Sequence, residues 1–234
     1  MSSSTNPIFC AVDRPDLDGA TALARAVLPA VGGLKLGLEF VTANGPTGVM
    51  AVRATGCPIF LDLKFHDIPN TVAGAVRSAA ALDVAMLTLH AAGGRTMLKA
   101  AVDAAKDTAH RPWLLAVTVL TSFDQDDLAA TGVAASLSDQ VLRLTDLALS
   151  AGVDGIVCSP HEIALLRRAH GTGFKLVVPG IRAAGGGDDQ KRTMAPAEAL
   201  AAGADILVVG RPITQAPSPA EAARALLAQL KAAA

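Results

Sequence analysis

Eight short apolar runs constrain the fold of this chain more than any other feature. The runs are Ile8–Asp13, Leu34–Phe40, Pro58–Phe65, Val84–His90, Trp113–Leu120, Gly155–Ser159, Lys175–Pro179 and Ile206–Gly210. Each run is too short for a typical helix, and most are rich in valine, isoleucine and leucine. Runs of this kind predict strands that are buried on both faces, as in a parallel sheet.

Alanine-rich stretches with helical spacing separate the runs, for example Asp16–Leu28 and Ser138–Leu149. Two further stretches begin with serine, proline and a glutamate, at Ser159–Glu162 and Ser218–Glu221. This pattern predicts a helix start, because the serine and glutamate side chains satisfy backbone N–H groups that have no partner in the first turn. The chain therefore alternates between predicted strands and predicted helices.

This alternation predicts a single (β/α)8 barrel domain over residues 1–234, with residues 1–7 as a disordered tail. An open, doubly wound sheet is the alternative fold for such a pattern. The sequence favours the barrel, because there are eight strand–helix units and no GxGxxG motif follows the first strand. No change in composition marks a second domain.

Charge and cysteine content argue against several classes of protein. Twenty basic and 21 acidic residues give a net charge of −1, which does not suit a protein that neutralises nucleic-acid phosphates. The longest stretch without a charged residue, 40–52, is shorter than the roughly 18 residues that span a membrane, and its Asn-Gly-Pro sequence suits a loop. Cys10, Cys57 and Cys158 are far apart, which predicts buried thiols in a reducing cytoplasm rather than a disulfide framework or a zinc site.

Charged residues cluster in and just after the first three predicted strands, at the end of a barrel where the chemistry lies. Asp13 ends the first run, Lys35 lies in the second, and Asp62 and Lys64 lie in the third. Because alternate residues of a strand point to the same side, Asp62 and Lys64 are predicted to share one face. Charges inside a barrel wall are unfavourable unless they are paired or used, so the four side chains are predicted to form one alternating set around a cavity. A purely structural ion network is the alternative interpretation.

Glycine and arginine follow the last two predicted strands. In Gly210-Arg211 the glycine allows close approach of backbone N–H groups to an anion, and the arginine can bind a phosphate with two hydrogen bonds. Pro179–Arg182 follows the seventh strand, and the glycine-rich segment Arg182–Thr193 is typical of a lid. Gln190 lies near the end of that segment, within possible reach of a phosphate or a base edge. The alternatives are an ordinary glycine turn and a surface insertion.

The segment Asp62–Thr71, DLKFHDIPNT, resembles the DxKxxD signature of the orotidine 5′-monophosphate decarboxylase family. DxKxxD alone is shared by a wider superfamily of phosphosugar enzymes, whereas the whole segment together with the later motifs is much more specific. The resemblance covers nearly the whole chain through AVD at 11–13, LKLGLE at 34–39, VTVLTS at 117–122, PGIR at 179–182, DQ at 189–190 and VVGRPIT at 208–214.

The resemblance implies a homodimeric enzyme that converts orotidine 5′-monophosphate to UMP without a metal or an organic cofactor. It implies that Lys64 protonates C6 of the pyrimidine and that Asp62 lies beside the departing carboxylate. Lys35 would hold this pair and contact the ribose, and Asp13 would bind a ribose hydroxyl. Asp67 would complete the catalytic set from a second subunit.

The resemblance also implies further substrate-binding residues. Ile68 and Thr71 would reach into the site of the second subunit together with Asp67, and Thr121 would contact the base. The residues implied near the phosphate and the lid are Pro179, Arg182, Gln190, Gly210 and Arg211.

Two other functions stay open on the residues alone. In a magnesium-dependent decarboxylase of a 3-keto sugar phosphate, Glu39 and Asp62 would hold the metal beside an enediolate. A non-catalytic barrel that binds phosphosugars would keep the fold without turnover. A sugar-phosphate isomerase or epimerase is less favoured, because no second acid–base residue is obvious. His66 is assigned no chemistry, and His90 and Trp113 are interpreted as structural.

Overall fold

In the computed structural model, residues 6–182 and 193–233 are described, and their strands form one closed parallel barrel. The strands are β1 (Ile8–Ala11), β2 (Gly33–Gly37), β3 (Ile59–Phe65), β4 (Met86–His90), β5 (Trp113–Val117), β6 (Gly155–Val157), β7 (Lys175–Val178) and β8 (Ile206–Val209). Each strand pairs with the next along the chain, and β8 pairs with β1 to close the ring. The predicted (β/α)8 fold is confirmed, with one strand in each apolar run.

Helices follow the strands and pack around the barrel. They are α1 (Leu17–Val27), α2 (Leu38–Arg53), α3 (Pro69–Ala80), α4 (Gly94–Lys106), α5 (Gln125–Ala130), α6 (Leu137–Ala151), α7 (Ile163–His170), α8 (Pro196–Ala201), α9 (Arg211–Thr214) and α10 (Pro219–Ala233). The helix start predicted at Ser159 is present, since the Ser159 N–H donates to Glu162 Oε2 at 2.8 Å in a short 3₁₀ helix before α7. No helix in the described ranges is long and apolar enough to cross a membrane.

The strands are buried on both faces, as their composition predicts. Inward side chains such as Phe9, Phe60 and Met86 fill the barrel, whereas Leu34 and Leu87 belong to the layer between the strands and the helices. With both faces packed, apolar side chains leave little room inside the barrel for charges except where the strands end. The polar residues therefore collect at the carboxyl ends of the strands.

The second apolar run and the stretch after it differ from the prediction. Only residues up to Gly37 form strand, and Leu38 already begins α2, which occupies the segment predicted as a loop. Gly45, with a φ of 59°, interrupts the helix, and Pro46 begins the next turn, where a missing N–H is tolerated. The Asn-Gly-Pro sequence therefore marks a break inside a helix rather than a loop.

The folded part of the chain begins before the end of the disordered tail predicted over residues 1–7. The Asn6 side chain donates a hydrogen bond to the carbonyl of Ala30 at 2.8 Å, and the Leu207 N–H donates to the carbonyl of Pro7 at 2.8 Å. Asn6 and Pro7 are therefore part of the fold, while residues 1–5 lie outside the described ranges.

Ion pairs connect turns at the amino end of the barrel. Asp154 accepts two hydrogen bonds from the Arg111 guanidinium, at 2.9 and 3.0 Å, and a third from the Leu114 N–H at 2.8 Å. Asp205 is bound in a similar way by Lys175, at 3.1 Å, and by a backbone N–H of β7. These aspartates precede β6 and β8, so each one fixes the start of its strand against a neighbouring strand.

Candidate active site

Strand β3 is irregular where its charged residues lie. Between the paired positions Leu61 and Phe65, three residues of β3 stand opposite a single residue of β4, Thr88. Lys64 has a φ of 52°, in the left-handed region that a residue with a side chain rarely adopts, at a cost on the order of 1 kcal/mol. Bulges and unusual backbone angles of this kind are concentrated at functional sites.

The predicted contact between Asp62 and Lys64 is present, although its geometry is not that of a regular strand. Nζ of Lys64 lies 2.9 Å from each carboxylate oxygen of Asp62. Strand alternation predicts the shared side correctly, but the left-handed backbone at Lys64 also contributes to the orientation of its side chain. The two side chains therefore meet because of the bulge as well as because they are two residues apart on the strand.

Lys35 connects this pair to the first strand. Its Nζ lies 3.0 Å from Asp13 Oδ1 and 3.6 Å from Asp62 Oδ2. Asp13, Lys35, Asp62 and Lys64 thus form a row of alternating charges, which we call the charged row. The Asp13 side chain is 50% exposed and that of Lys64 29% exposed, against 12% for each of the two between them. The two ends of the charged row are therefore the parts most open to a ligand.

The carboxyl group of Asp62 stays ionised although it is buried. Burial favours its neutral form, but the ammonium groups of Lys35 and Lys64 outweigh that effect, helped by hydrogen bonds from Lys64 and Thr88. Together they hold the pKa of Asp62 below its ordinary value. The Asp62 carboxylate is therefore ionised at neutral pH.

His90, which ends β4, lies next to the charged row. Burial lowers its pKa below the ordinary value, and the neighbouring His66 and Lys64 lower it further. The rings of His90 and His66 are 5.4 Å apart between centroids. His90 is thus an uncharged neighbour of the site at neutral pH, and the structural role predicted for it stays a prediction.

The glycine and arginine residues predicted to bind phosphate lie at the same end of the barrel. Gly210 follows β8, and a Cβ added to it would lie in ordinary van der Waals contact, 3.6 Å from the Ala11 side chain of β1. Arg211 begins α9 and is exposed. Pro179 follows β7, and the Arg182 N–H donates to the carbonyl of Met194 at 3.1 Å. Gln190 lies outside the described residues.

Among the described residues, the remaining predicted site residues form no hydrogen bond or ion pair with the charged row. Thr121 lies in the turn that follows β5. Asp67, Ile68 and Thr71 are exposed at the start of α3, and 67% of the Ile68 surface is accessible. Asp67 accepts a hydrogen bond from the Ile68 N–H at 2.6 Å and forms no ion pair with the described residues. These three residues face outward from the chain that carries them.

Thr88 is a site residue that the sequence analysis missed. It is completely buried, and its hydroxyl lies 2.9 Å from Asp62 Oδ1 and 2.8 Å from the Lys64 backbone nitrogen. The available signal was one hydroxyl residue in the apolar run MLTLH, next to the strand that carries both charges. A single threonine in a strand is common, so the signal is weak without the strand register.

A cavity of about 900 Å³ lies at the opposite, amino end of the barrel. Phe9, Met86 and Trp113 are among the residues that line it, and its cations Arg53 and Lys175 are already paired with aspartates. No residue of the charged row lines this cavity. Because barrel enzymes carry their chemistry at the carboxyl ends of the strands, the candidate active site lies at the charged row and not in this cavity.

Known proteins resemble this chain over nearly its whole length. The model of the orotidine 5′-phosphate decarboxylase / HUMPS family matches residues 6–226. An orotidine 5′-phosphate decarboxylase from Anaeromyxobacter sp. (strain K) is 55% identical over 224 residues, covering 95% of this chain and 97% of that protein. One from Paramagnetospirillum magneticum is 52% identical over 231 residues, covering 96% and 98%. The crystal structure of orotidine 5′-phosphate decarboxylase from Lactobacillus acidophilus has a TM-score of 0.84 and 34% identity, covering 96% of this chain and 99% of that one. The chain therefore belongs to the orotidine 5′-phosphate decarboxylase / HUMPS family.

Proposed function

We propose that this protein decarboxylates orotidine 5′-monophosphate to UMP in pyrimidine nucleotide synthesis. Its relatives at 52% and 55% identity carry the name of this enzyme. The observation that carries the proposal is the position of Lys64, whose ammonium group is held 2.9 Å from both oxygens of Asp62 at the carboxyl end of the barrel. A fixed cation beside an ionised carboxylate suits a reaction that expels CO₂ and then needs a proton.

The chemistry explains why a lysine is required. Loss of CO₂ from C6 leaves an electron pair in an sp² orbital in the plane of the ring, which the ring π system cannot accept. A preorganised ammonium group next to that carbon stabilises the developing charge and then supplies the proton. We assign both roles to Lys64, and we assign the main contribution to its charge.

Asp62 and Lys35 support this role in different ways. Asp62 orients the Lys64 ammonium group, and its negative charge repels a substrate carboxylate placed beside it. Lys35 neutralises part of the charge of Asp62 at 3.6 Å and is bound by Asp13 at 3.0 Å. In this arrangement Lys35 and the half-exposed Asp13 bind the ribose hydroxyls.

The phosphate of the substrate provides binding energy away from the reacting carbon. Gly210 and Arg211 follow β8, and Pro179 and Arg182 follow β7, so these residues lie at the same end of the barrel as the charged row. We assign the phosphate to this side, together with Gln190, and the base to the side of Thr121. Binding energy from a remote phosphate can be used to organise the reacting groups.

The proposal includes a homodimer. Asp67, Ile68 and Thr71 are exposed, and they lie two to six residues after the end of β3, around the start of α3. An accessible isoleucine next to a carboxylate suits a contact that is completed by a second chain. We assign these three residues to the active site of the partner subunit, with Asp67 in the catalytic set.

The magnesium-dependent alternative is less favoured. Asp62 is bound by two ammonium groups and a hydroxyl, which leaves little of its carboxylate for a metal, and Glu39 is exposed at the start of α2. We propose a reaction without metal or organic cofactor, carried out by a single-domain chain. The burial of all three cysteines as thiols supports a reducing compartment such as the cytoplasm.

The test is an assay of the purified protein with orotidine 5′-monophosphate in the presence of EDTA. We expect the substrate absorbance to fall at the same rate with and without the chelator. Activity that disappears in EDTA and returns with magnesium would instead support the keto sugar-phosphate decarboxylase. Tight binding of UMP without turnover would support a non-catalytic barrel.

A further inference from the structure

Thr88 connects the two charged residues of β3 from the neighbouring strand. Its hydroxyl is 2.9 Å from Asp62 Oδ1 and 2.8 Å from the backbone nitrogen of Lys64. The residue is completely buried between Leu87 and Leu89 of β4, which both pack in the layer under the helices. A hydroxyl in this environment is stable only when it is hydrogen-bonded.

The direction of both hydrogen bonds is determined by the chemistry of the partners. A threonine hydroxyl has one proton to donate and lone pairs to accept with. The Lys64 N–H can only donate, and the ionised carboxylate of Asp62 can only accept. The Lys64 amide therefore donates to Thr88, and Thr88 donates its proton to Asp62.

The bulge in β3 explains why such a residue is required. Three residues of β3 stand opposite Thr88 alone, so the Lys64 amide has lost the carbonyl that a regular ladder would supply. The amide also belongs to a residue with a left-handed φ of 52°. With an apolar residue at position 88, this partly buried N–H would have no partner.

We propose that Thr88 is a positioning residue of the decarboxylase, which fixes the backbone of Lys64 and the carboxylate of Asp62 in one arrangement. The inference rests on the proposed function, since the group it positions is the proton donor. Thr88 acts through Lys64 and Asp62, and it has no contact with substrate in this role.

The charges around Asp62 predict a signature beyond simple loss of activity. Lys35 faces Asp62 from β2, Lys64 from β3 and His90 from β4, and Asp13 lies behind Lys35 on the β1 side. The Thr88 hydroxyl adds a hydrogen bond that favours the ionised form of Asp62. Without it, Asp62 is protonated more readily and the acid limb of the kcat profile moves to higher pH.

The experiment compares Thr88→Val with Thr88→Ser and with a matched control, Thr145→Val. Thr145 is also completely buried, in α6, but its hydroxyl has no hydrogen-bond partner among the described residues. We expect Thr88→Val to lower kcat by about 10- to 100-fold, as for lost hydrogen bonds to charged groups, with a smaller change in KM. Thr88→Ser keeps both hydrogen bonds and should recover kcat to within about threefold, while Thr145→Val should leave kcat unchanged.

Amide hydrogen exchange of Lys64 provides a measurement that does not depend on turnover. We expect the Lys64 amide to exchange faster in Thr88→Val than in the wild type and Thr145→Val, at equal fractions of folded protein. An unchanged kcat, pH profile and exchange rate in Thr88→Val would overturn the inference, as would a loss of kcat that Thr88→Ser does not recover. If the wild type does not decarboxylate orotidine 5′-monophosphate, the proposed function fails, and the exchange rates still decide whether Thr88 fixes Lys64.

Discussion

Lys64 places its ammonium nitrogen at the same distance, 2.9 Å, from both carboxylate oxygens of Asp62. The contact is therefore symmetric, and each oxygen has one further partner, the Thr88 hydroxyl at Oδ1 and Lys35 at Oδ2. Because Lys35 adds a second positive charge 3.6 Å from Asp62, the surroundings of this carboxylate are positive overall. The Asp62 carboxylate thus stays ionised, and it holds the Lys64 ammonium group in place.

Lys64→Ala removes both the charge and the proton source. We expect turnover to fall by at least about 10³-fold, because general acid catalysis and electrostatic stabilisation are lost together. UMP should still bind, since the residues proposed to bind its phosphate and ribose are unchanged. Lys99→Ala is a suitable control, because Lys99 lies on α4 in an exposed ion pair with Asp103. Turnover near the wild-type level in Lys64→Ala would contradict the role of Lys64.

Mixed dimers test whether Asp67 acts across an interface. Lys64→Ala and Asp67→Ala should each be inactive, but random mixing places one site with both native residues in half of the dimers. We expect about a quarter of the wild-type activity to return in an equal mixture. A mixture of Lys64→Ala with Asp62→Ala should recover nothing, because both residues come from one chain. If the two mixtures recover the same activity, the proposal that Asp67 acts in the active site of the partner subunit is contradicted.

Substitution of Lys35 should change the pH dependence of turnover. Burial opposes ionisation of Asp62, and Lys35 is the first of the groups that overcome it and keep the pKa of Asp62 low. In Lys35→Met this pKa rises, so kcat should begin to fall at a higher pH on acidification. The profile of kcat between about pH 4 and 7 measures this shift, and an acid limb at the wild-type position would contradict the coupling.

The same pKa sets the sign of the effect on stability. The folded-state pKa of Asp62 lies below the unfolded one, so its ionised form stabilises the fold above the unfolded pKa. That contribution is lost as the pH falls through the folded-state pKa. Urea unfolding of the wild type should therefore show the free energy of unfolding decreasing as the pH falls between the unfolded-state and the folded-state pKa of Asp62, and in Lys35→Met, where the two pKa values lie closer together, the decrease should be smaller.

Asp154→Ala should destabilise the barrel without affecting the active site. It removes three hydrogen bonds, two from Arg111 and one from the Leu114 N–H, at the amino end of the strands. We expect a loss of about 2 to 4 kcal/mol in the free energy of unfolding, measured by urea denaturation, with kcat unchanged. Asp103→Ala is the control, because Asp103 is also paired with cations but lies on the surface of α4. This substitution should leave the midpoint of urea denaturation unchanged.

The sequence predicts the barrel well because burial on both faces leaves a clear pattern. Each of the eight apolar runs contains a strand, and Asp13, Lys35, Asp62 and Lys64 are recognisable as charges that interrupt or end such runs. Boundaries were less predictable: Leu38 continues an apolar run in sequence but begins a helix. An apolar residue at this position is compatible with the end of a strand or with the start of a helix, so only the tertiary packing decides between the two.

Thr88 shows what the sequence pattern does not contain. Its role depends on the register between β3 and β4, which shifts by two residues within the charged segment. No periodicity in either strand indicates such a shift, because the apolar alternation is the same before and after it. The position of a partner for the Lys64 amide is therefore a property of the pairing and not of either strand alone.

The register shift also confines the charged residues of β3 to one irregular segment, with regular strand pairing on either side. Where a regular ladder would place one residue of β3 opposite Thr88, there are three, so β3 contains two extra residues. Because side chains alternate between the two faces of a strand, two extra residues do not reverse the orientation of those that follow. Leu61 and Phe65 consequently keep the same outward orientation, and the rest of the strand continues as if nothing had been inserted. The side chains on either side of the irregular segment therefore keep their inward and outward orientation, and the ring of strands stays closed around it. The two extra residues of β3 thus bring charged side chains into the barrel without disturbing the packing of the strand on either side of them.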